Sequence, residues 1–369
     1  IDTRFGDKNL SSSANYTIIF TGPNPDSFLG HTGGSGIGVQ VANLDGNTTA
    51  NDLLITTKFS TLNFGGVFII KDINRFSGTR ALSSGTSYNV RYLGGATNDW
   101  VGNSNLSGQG VQVVNVDNNT NANDLLLTAP NADINSKTDS GAVYLLTDVD
   151  RKSGNLSLST ETSFAVRWNG GTASDFLGQT NGETGVQVAA IDGNGYKNDL
   201  LLTAPYANIG SETDDGAVYL IKDIDKKSNV KDLNGDTNYS VRWDGNGSST
   251  KLGFNQGAGN AVKLANFDNN LTANDLIINS ILVPLANFSQ NGGIYIIKDI
   301  NRLSGALSFS SSSSFFSLWY GSGDSESLGR SAGLTSALSS GDGIQIVNVD
   351  NNATANDLLV MGLQVNGVV

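Results

Sequence analysis

The sequence contains no cysteine, which removes disulfides, thiolate zinc sites, iron–sulfur clusters and cysteine nucleophiles together. Its single histidine, His31, leaves no pair or triad of imidazoles for a transition metal. Charged residues are scarce at 15%, so the charge-rich signature of a disordered chain is missing, and hydrophobic residues, at 38% of 369, are also few. The charge that is present is lopsided. A net −12 and a sequence pI near 4.4 repel nucleic acid and anionic membrane. No apolar run approaches the ~18–20 residues that a transmembrane helix needs. The chain opens at Ile1 without Met or a signal-like stretch, as expected of a processed protein or an excised piece. Gly, Asn, Ser and Thr fill the space instead. Forty-five Gly beside five Pro predict many tight turns and hence many short strands.

Five segments repeat: VANLDGNTTANDLLI (41–55), VVNVDNNTNANDLLL (113–127), AAIDGNGYKNDLLL (189–202), LANFDNNLTANDLII (264–278) and IVNVDNNATANDLLV (346–360). Their first Asp residues are Asp45, Asp117, Asp192, Asp268 and Asp350, spaced 72, 75, 76 and 82 apart. The second Asp residues, Asp52, Asp124, Asp199, Asp275 and Asp357, always follow seven positions later. The period drifts while the loop does not, so the loop geometry is fixed by something specific.

Each unit carries four strand-like pieces, in the third unit 184–191, 198–204, 216–224 and 238–243. The first and fourth alternate apolar and polar residues, as half-buried strands do. The second and third are near-continuous apolar runs, expected of inner strands covered on both faces. No helical period is convincing. Four strands per unit predict an all-β fold, a β-propeller of about five four-stranded blades in one domain over 1–369. The units run roughly 15–84, 85–160, 161–235, 236–312 and 313–369 plus 1–14. Excess length is expected in variable connections such as Pro130–Gly141 and Gly321–Gly343. Residues 1–20 read as the tail of a third strand followed by a fourth, and 366–369 as the start of a third. The last blade is therefore expected to be shared between N- and C-terminal strands. Closure within one chain is favoured, with end-to-end joining of chains as the alternative.

These units resemble the FG-GAP repeats of integrin-α-type β-propellers. The Phe-Gly element matches Phe28-Leu29-Gly30, Trp100-Val101-Gly102, Phe176-Leu177-Gly178, Leu252-Gly253 and Leu328-Gly329. The Gly-Ala-Pro element matches Thr128-Ala129-Pro130 and Thr203-Ala204-Pro205. The resemblance implies Ca²⁺ binding, with several ions and one per blade loop. Carried over residue by residue, the first loop supplies Asn43, Asp45, Asn47, Asn51 and Asp52. The second supplies Asn115, Asp117, Asn119, Asn123 and Asp124. The third supplies Asp192, Asn194, Asn198 and Asp199, with Ala190 at the first ligand position. The fourth supplies Asn266, Asp268, Asn270, Asn274 and Asp275, and the fifth Asn348, Asp350, Asn352, Asn356 and Asp357. Oxygen donors without nitrogen or sulfur suit Ca²⁺, and two Asp per loop predict weak, extracellular-class affinity. The competing reading is Asx turns held by hydrogen bonds alone.

Other recurrent residues read as packing or surface. An aromatic ends each fourth strand, at Phe20, Tyr92, Trp168, Trp243 and Tyr320, and blade-to-blade packing is favoured over sugar stacking. Arg91, Arg167 and Arg242 are expected to stack on these rings or to pair with acids. Lys71-Asp72, Thr147-Asp148, Lys222-Asp223 and Lys298-Asp299 read as solvated turn chemistry. His31, and the run Glu212, Asp214 and Asp215, read as exposed loop residues, and no enzyme constellation emerges. The expectation is an extracellular or cell-surface adhesion or assembly module. Its partner would be a protein or glycan ligand, with copies of itself among the candidates; a carbohydrate-binding, lectin-like propeller is the alternative, and a polysaccharide-degrading enzyme ranks behind it.

Overall fold

A computed structural model describes residues 10–12, 16–31, 37–47, 51–58, 64–102, 110–119, 123–179, 185–254, 261–268, 270, 274–283, 291–323, 326, 328–329, 343–349 and 357–361. The chain enters on β1 (Ile18–Thr21). The first unit continues with β2 (Val39–Ala42), β3 (Asp52–Thr57), β4 (Gly66–Ile70), β5 (Gly78–Ala81) and β6 (Val90–Leu93). The second holds β7 (Val111–Val114), β8 (Asp124–Ala129), β9 (Ala142–Leu146), β10 (Gly154–Ser157) and β11 (Val166–Asn169). The third holds β12 (Val186–Ala189), β13 (Asp199–Ala204), β14 (Ala217–Ile221), β15 (Asn229–Asp232) and β16 (Val241–Asp244). The fourth holds β17 (Val262–Ala265), β18 (Asp275–Ser280), β19 (Gly293–Ile297), β20 (Gly305–Ser308) and β21 (Ser317–Tyr320), and β22 (Ile344–Val347) and β23 (Asp357–Val360) follow. The only helical pieces among the described residues are single 3-10 turns, and no helix is long and apolar enough to cross a membrane.

The protein is all-β, with repeated sheets of similar topology. The expected four strands of each of the first four units pair antiparallel in chain order, as in β12–β13–β14–β16. The two inner strands, β13 and β14, are buried along their whole length, which explains their unbroken apolar sequence. The first element's glycines explain the fixed start of each unit. Gly30, Gly102, Gly178 and Gly253 all lie near φ +80, and each N–H donates to a carbonyl of the second strand. A Cβ at Gly178 would sit 2.6 Å from Val143 Cγ2, so only glycine fits.

A fifth strand in each unit is the main departure from the expected pattern. Between strands three and four, the chain reaches back to the preceding sheet and pairs parallel with its fourth strand, β10 with β6, β15 with β11 and β20 with β16, and β5 pairs in the same way with β1, whose only strand partner among the described residues it is. The polar, four-residue segments give little sequence signal. Each begins in the left-handed region, at Gly78, Gly154, Asn229 or Gly305, where Gly and Asn are tolerated. Just beyond it, Leu82, Leu158, Leu233 and Phe309 are buried, and their N–H groups donate to Thr21, Leu93, Asn169 and Asp244 at 2.9–3.0 Å. Every such strap joins one unit to the sheet before it.

The core lies between sheets. One cluster joins Leu54, Val67 and Tyr92 of the first unit to Val111, Leu125 and Tyr144 of the second. The next joins Trp168 to Leu200, Tyr219 and Leu233, and the next Trp243 to Leu276, Tyr295 and Phe309. Gln40, Gln112 and Gln187 bridge the same junctions, donating to the carbonyls of Val111, Val186 and Val262 at 2.7, 2.7 and 3.1 Å. Tyr92, Trp168 and Trp243 are thus packing residues with no exposed surface. The register corrects one member of the aromatic series. Trp319 pairs with Ile294 as Trp243 pairs with Val218, so Trp319 and not Tyr320 is the equivalent residue. The arginines do not stack on these rings; Arg91, Arg167 and Arg242 lie over Phe68, Phe164 and Tyr239, and Arg242 also pairs with Asp244 at 2.6 Å.

At the ends, β1 pairs with β5 and β22 with β23, as two small sheets with no pairing between them among the described residues. Residues 1–9 and 362–369, on which the shared-blade expectation also rests, lie outside the described residues, as does most of 321–343. Burial sets an expected contrast: Trp243→Ala should cost about 3–5 kcal/mol, whereas Trp319→Ala, with its ring half exposed, should cost under about 1 kcal/mol. Urea unfolding at low protein concentration measures both.

Candidate metal-binding loops

The second Asp of each loop begins the second strand, where pleating turns it inward. Asp52, Asp124, Asp199 and Asp275 have no exposed surface. A buried carboxylate can only accept hydrogen bonds, and the loop supplies donors to both oxygens. Asp124 Oδ2 accepts the Val116 N–H at 2.9 Å, and its Oδ1 accepts the Asp148 N–H at 3.0 Å. Asp199 accepts from Ile191 at 2.7 Å, Asp192 at 2.9 Å and Asp223 at 3.0 Å. Asp52 does the same with Leu44 and Asp72, Asp275 with Phe267 and Asp299, and Asp357 accepts from Val349. Burial raises the pKa of Asp124 and Asp199 despite these donors.

The first Asp faces the loop's outside. Asp117 and Asp268 are exposed, and Asp45 and Asp192 half-buried. One carboxylate oxygen of each accepts the N–H two residues on, from Asn47, Asn119, Asn194 and Asn270 at 3.0–3.2 Å, which is an Asx turn. The amides of those Asn residues then bind inward. Asn119 Nδ2 donates to Asp117 Oδ2 and Asn123 Oδ1, both at 3.1 Å, and Asn194 repeats this with Asp192 and Asn198. Asn47 Nδ2 reaches Asn51 Oδ1 and Asp72 Oδ1, and Asn270 reaches Asn274 and Asp299.

A further carboxylate borders each of the first four loops. Asp72, Asp148, Asp223 and Asp299, at the exit of the third strand, are left-handed with φ of 51–56°. Each accepts from the buried amide of Asn51, Asn123, Asn198 or Asn274 at 3.0–3.4 Å. The same amides reach Asn74, Asp150, Asp225 and Asn301 in the following 3-10 turn. The sequence marked the Lys-Asp repeat only as solvated turn chemistry. Its Asp belongs to the loop site, and Lys71 and Lys222 donate to carbonyls of the next unit, at Asp150 and Asn301. An interval of 24 residues between the second Asp and the strand exit, common to three units and 20 in the first, was the available signal, and its length hid it.

The first position of each loop differs from the rest. Asn43, Asn115 and Asn266 donate through Nδ2 to the loop carbonyls of Asn47, Asn119 and Asn270. Their Oδ1 atoms are buried with no hydrogen-bond partner among the described residues. The third unit has Ala190 there and no such atom. In the fifth unit Asn348 and Asp357 are described, while Asp350, Asn352 and Asn356 lie outside the described residues. No group of three or more His, Cys, Asp or Glu gathers among the described residues, so any cation here would depend on amide and carbonyl oxygens.

Elsewhere, the acidic run is not wholly solvated. Asp215 is buried, accepts from the Gly247 N–H and the Thr250 hydroxyl at 3.0 Å, and is pushed up to about 6 by burial. Glu212 accepts from Ser248, and Asp214 lies 3.6 Å from Lys251. His31 is half-buried against Phe28, edge to face at 5.8 Å. Comparison with known protein families finds no match, and comparison with curated proteins finds none either.

Two outcomes follow from these partners. In EDTA, Asp124→Ala should cost about 1–3 kcal/mol for each N–H left without an acceptor, while Asp117→Ala should cost under about 1 kcal/mol; urea titration separates them. Asp215 holds its proton more tightly folded than unfolded between its ordinary 3.8 and about 6, so its contribution to stability falls as pH rises through that window. Asp215→Asn keeps the accepting oxygen. The variant should therefore melt above wild type at pH 7, with the gap closing toward pH 4, as thermal scans in EDTA would record.

Proposed function

We propose that this chain is an extracellular, calcium-binding β-propeller of the FG-GAP type. In this reading it serves as an adhesion, cell-surface or assembly module, its repeated sheets are the blades, and a β1-type strand completes the last blade. The support is structural: antiparallel four-stranded sheets in series, left-handed glycines at the Phe-Gly positions, and a constant Asp/Asn loop at one end of each sheet.

The observation that carries the calcium reading is the unpartnered, buried Oδ1 of Asn43, Asn115 and Asn266. A buried acceptor without a donor costs about 1–3 kcal/mol, and a cation beside it removes that cost. In the second loop Asp117 Oδ2 and Asn123 Oδ1 share the Asn119 amide, Asp148 Oδ1 accepts from the Asn123 amide, and Asn115 Oδ1 is left over, so a cation there would draw on these hard oxygens. Asn119 donates its amide among them as the hydrogen-bonded alternative. Oxygen ligands of mixed charge suit Ca²⁺, and two flanking carboxylates place it in the weak class, about 10⁻⁴–10⁻³ M. Asp124 and its equivalents would act as positioning residues, since they already hold the loop backbone. Cytosolic calcium would leave sites of that class empty, which is the argument for secretion or surface display.

Millimolar Ca²⁺ should raise the melting temperature of EDTA-treated protein, because a ligand bound only by the folded state stabilises it. Mg²⁺, which dehydrates reluctantly, should do so less. Asn115→Ala should reduce the calcium-induced shift, and changing Asp192 in the third loop should scarcely alter it. An unchanged melting curve on adding calcium would sink the reading and leave plain turns.

A further inference from the structure

Each internal junction is made by the same two faces. Leu54, Leu126, Leu201 and Ile277 occupy one position of the second strand, and each is buried in a cluster with the opening residue of the next sheet: Val111, Val186, Val262 and Ile344. Those opening residues are 1–2% exposed. The two faces differ, so the contact is heterologous, and a series of such contacts leaves one face of each kind uncovered at its ends.

Both are found in water. Val39 and Val41 stand where Val111 and Val113 stand in the next sheet, yet they are 51% and 58% exposed. At the other end Leu359, in the position of Leu54, is 56% exposed, and Gln345, in the position of Gln40, is exposed. The straps show the same mismatch. Trp319 is 47% exposed where Trp243 is covered by Phe309 of the following unit. Leu10 lies eight residues before β1, as Leu82, Leu158, Leu233 and Phe309 lie before their fourth strands, and is 61% exposed while they are buried. Apart from Tyr196, the strongly exposed large apolar side chains among the described residues all fall within 10–41 or 316–361. Such end-restricted apolar surface marks an interaction site.

We propose that these ends meet between two copies of the chain, head to tail. The Leu359 face of one copy seats on the Val39 face of the next. Gln345 donates to the Val39 carbonyl as Gln40 does to Val111, and Leu10 of the second copy covers Trp319 of the first. The occupant is a second copy because a single chain holds both faces and leaves both in water. This rests on the assembly-module reading above and names its partner.

Sedimentation velocity over a concentration series, in calcium and separately in EDTA, tests it. Wild type should associate with rising concentration. Val39→Asp and Leu359→Asp should each abolish association at an unchanged melting temperature. Their mixture should give a dimer and nothing larger, since each variant keeps one intact face. Should Val39→Asp melt early, Val39→Lys replaces it in the same mixture. Wild type monomeric at every concentration, as a ring closed within one chain would be, overturns the proposal. So does association that survives both single variants. Absence of a calcium effect on melting would reject the metal reading alone, because association is read in both buffers.

Discussion

A carboxylate with no exposed surface must be surrounded by donors, and in this protein those donors are backbone N–H groups from two separate segments. Asp124 ties the end of the first strand, at Val116, to the exit of the third, at Asp148, across the intervening second strand. The reach of one side chain therefore fixes the length of the loop it closes. That accounts for a seven-residue interval that never changes while the distance between units drifts. Losing such an acceptor exposes two strand ends at once, so the interval is a structural necessity whether or not a cation is present.

The sheets also depend on one another. A four-stranded antiparallel sheet with two apolar faces cannot be stable alone in water, and each inner sheet buries its faces against the sheets before and after it. The straps add backbone hydrogen bonds to this packing. Because β10 pairs with β6, the unit that supplies a strap cannot leave the preceding sheet without breaking a strand pair and uncovering Tyr92 and Leu158. Nearest-neighbour coupling of this kind makes stability a sum over junctions. The end sheets, with one junction each, are then the least protected part of the molecule.

The repetition of similar sheets, their antiparallel order and the buried inner strands were legible in the sequence because they rest on periodicity. The buried role of Trp168 and Trp243 was legible too. The straps were not, since segments such as GTRA and NVKD lack both alternation and apolar content. Their register is set by a left-handed residue and one leucine, signals too short to stand out. Tyr320 was mistaken for Trp319 because adjacent aromatics differ by one position, and in a strand one position decides the face. Among the loop residues, the paired Asp were evident. The contribution of Asp148 was hidden by 24 residues of separation from Asp124.

What would divide a turn from a metal site in these loops is one atom. Asn119 and Asn194 make the same Asx turns and the same inward amide contacts, with Asp117 and Asn123 in one loop and Asp192 and Asn198 in the other. Hydrogen bonding alone therefore suffices to shape the loop, and the third unit does it with Ala190. Asn43, Asn115 and Asn266 add at that position an acceptor that finds no donor among the described residues. An unpaired buried oxygen is a cost, set against the hydrogen bond that the same side chain donates to the loop carbonyl. Its natural complement is a group that brings charge and no competing acceptor, which is the property of a hard cation.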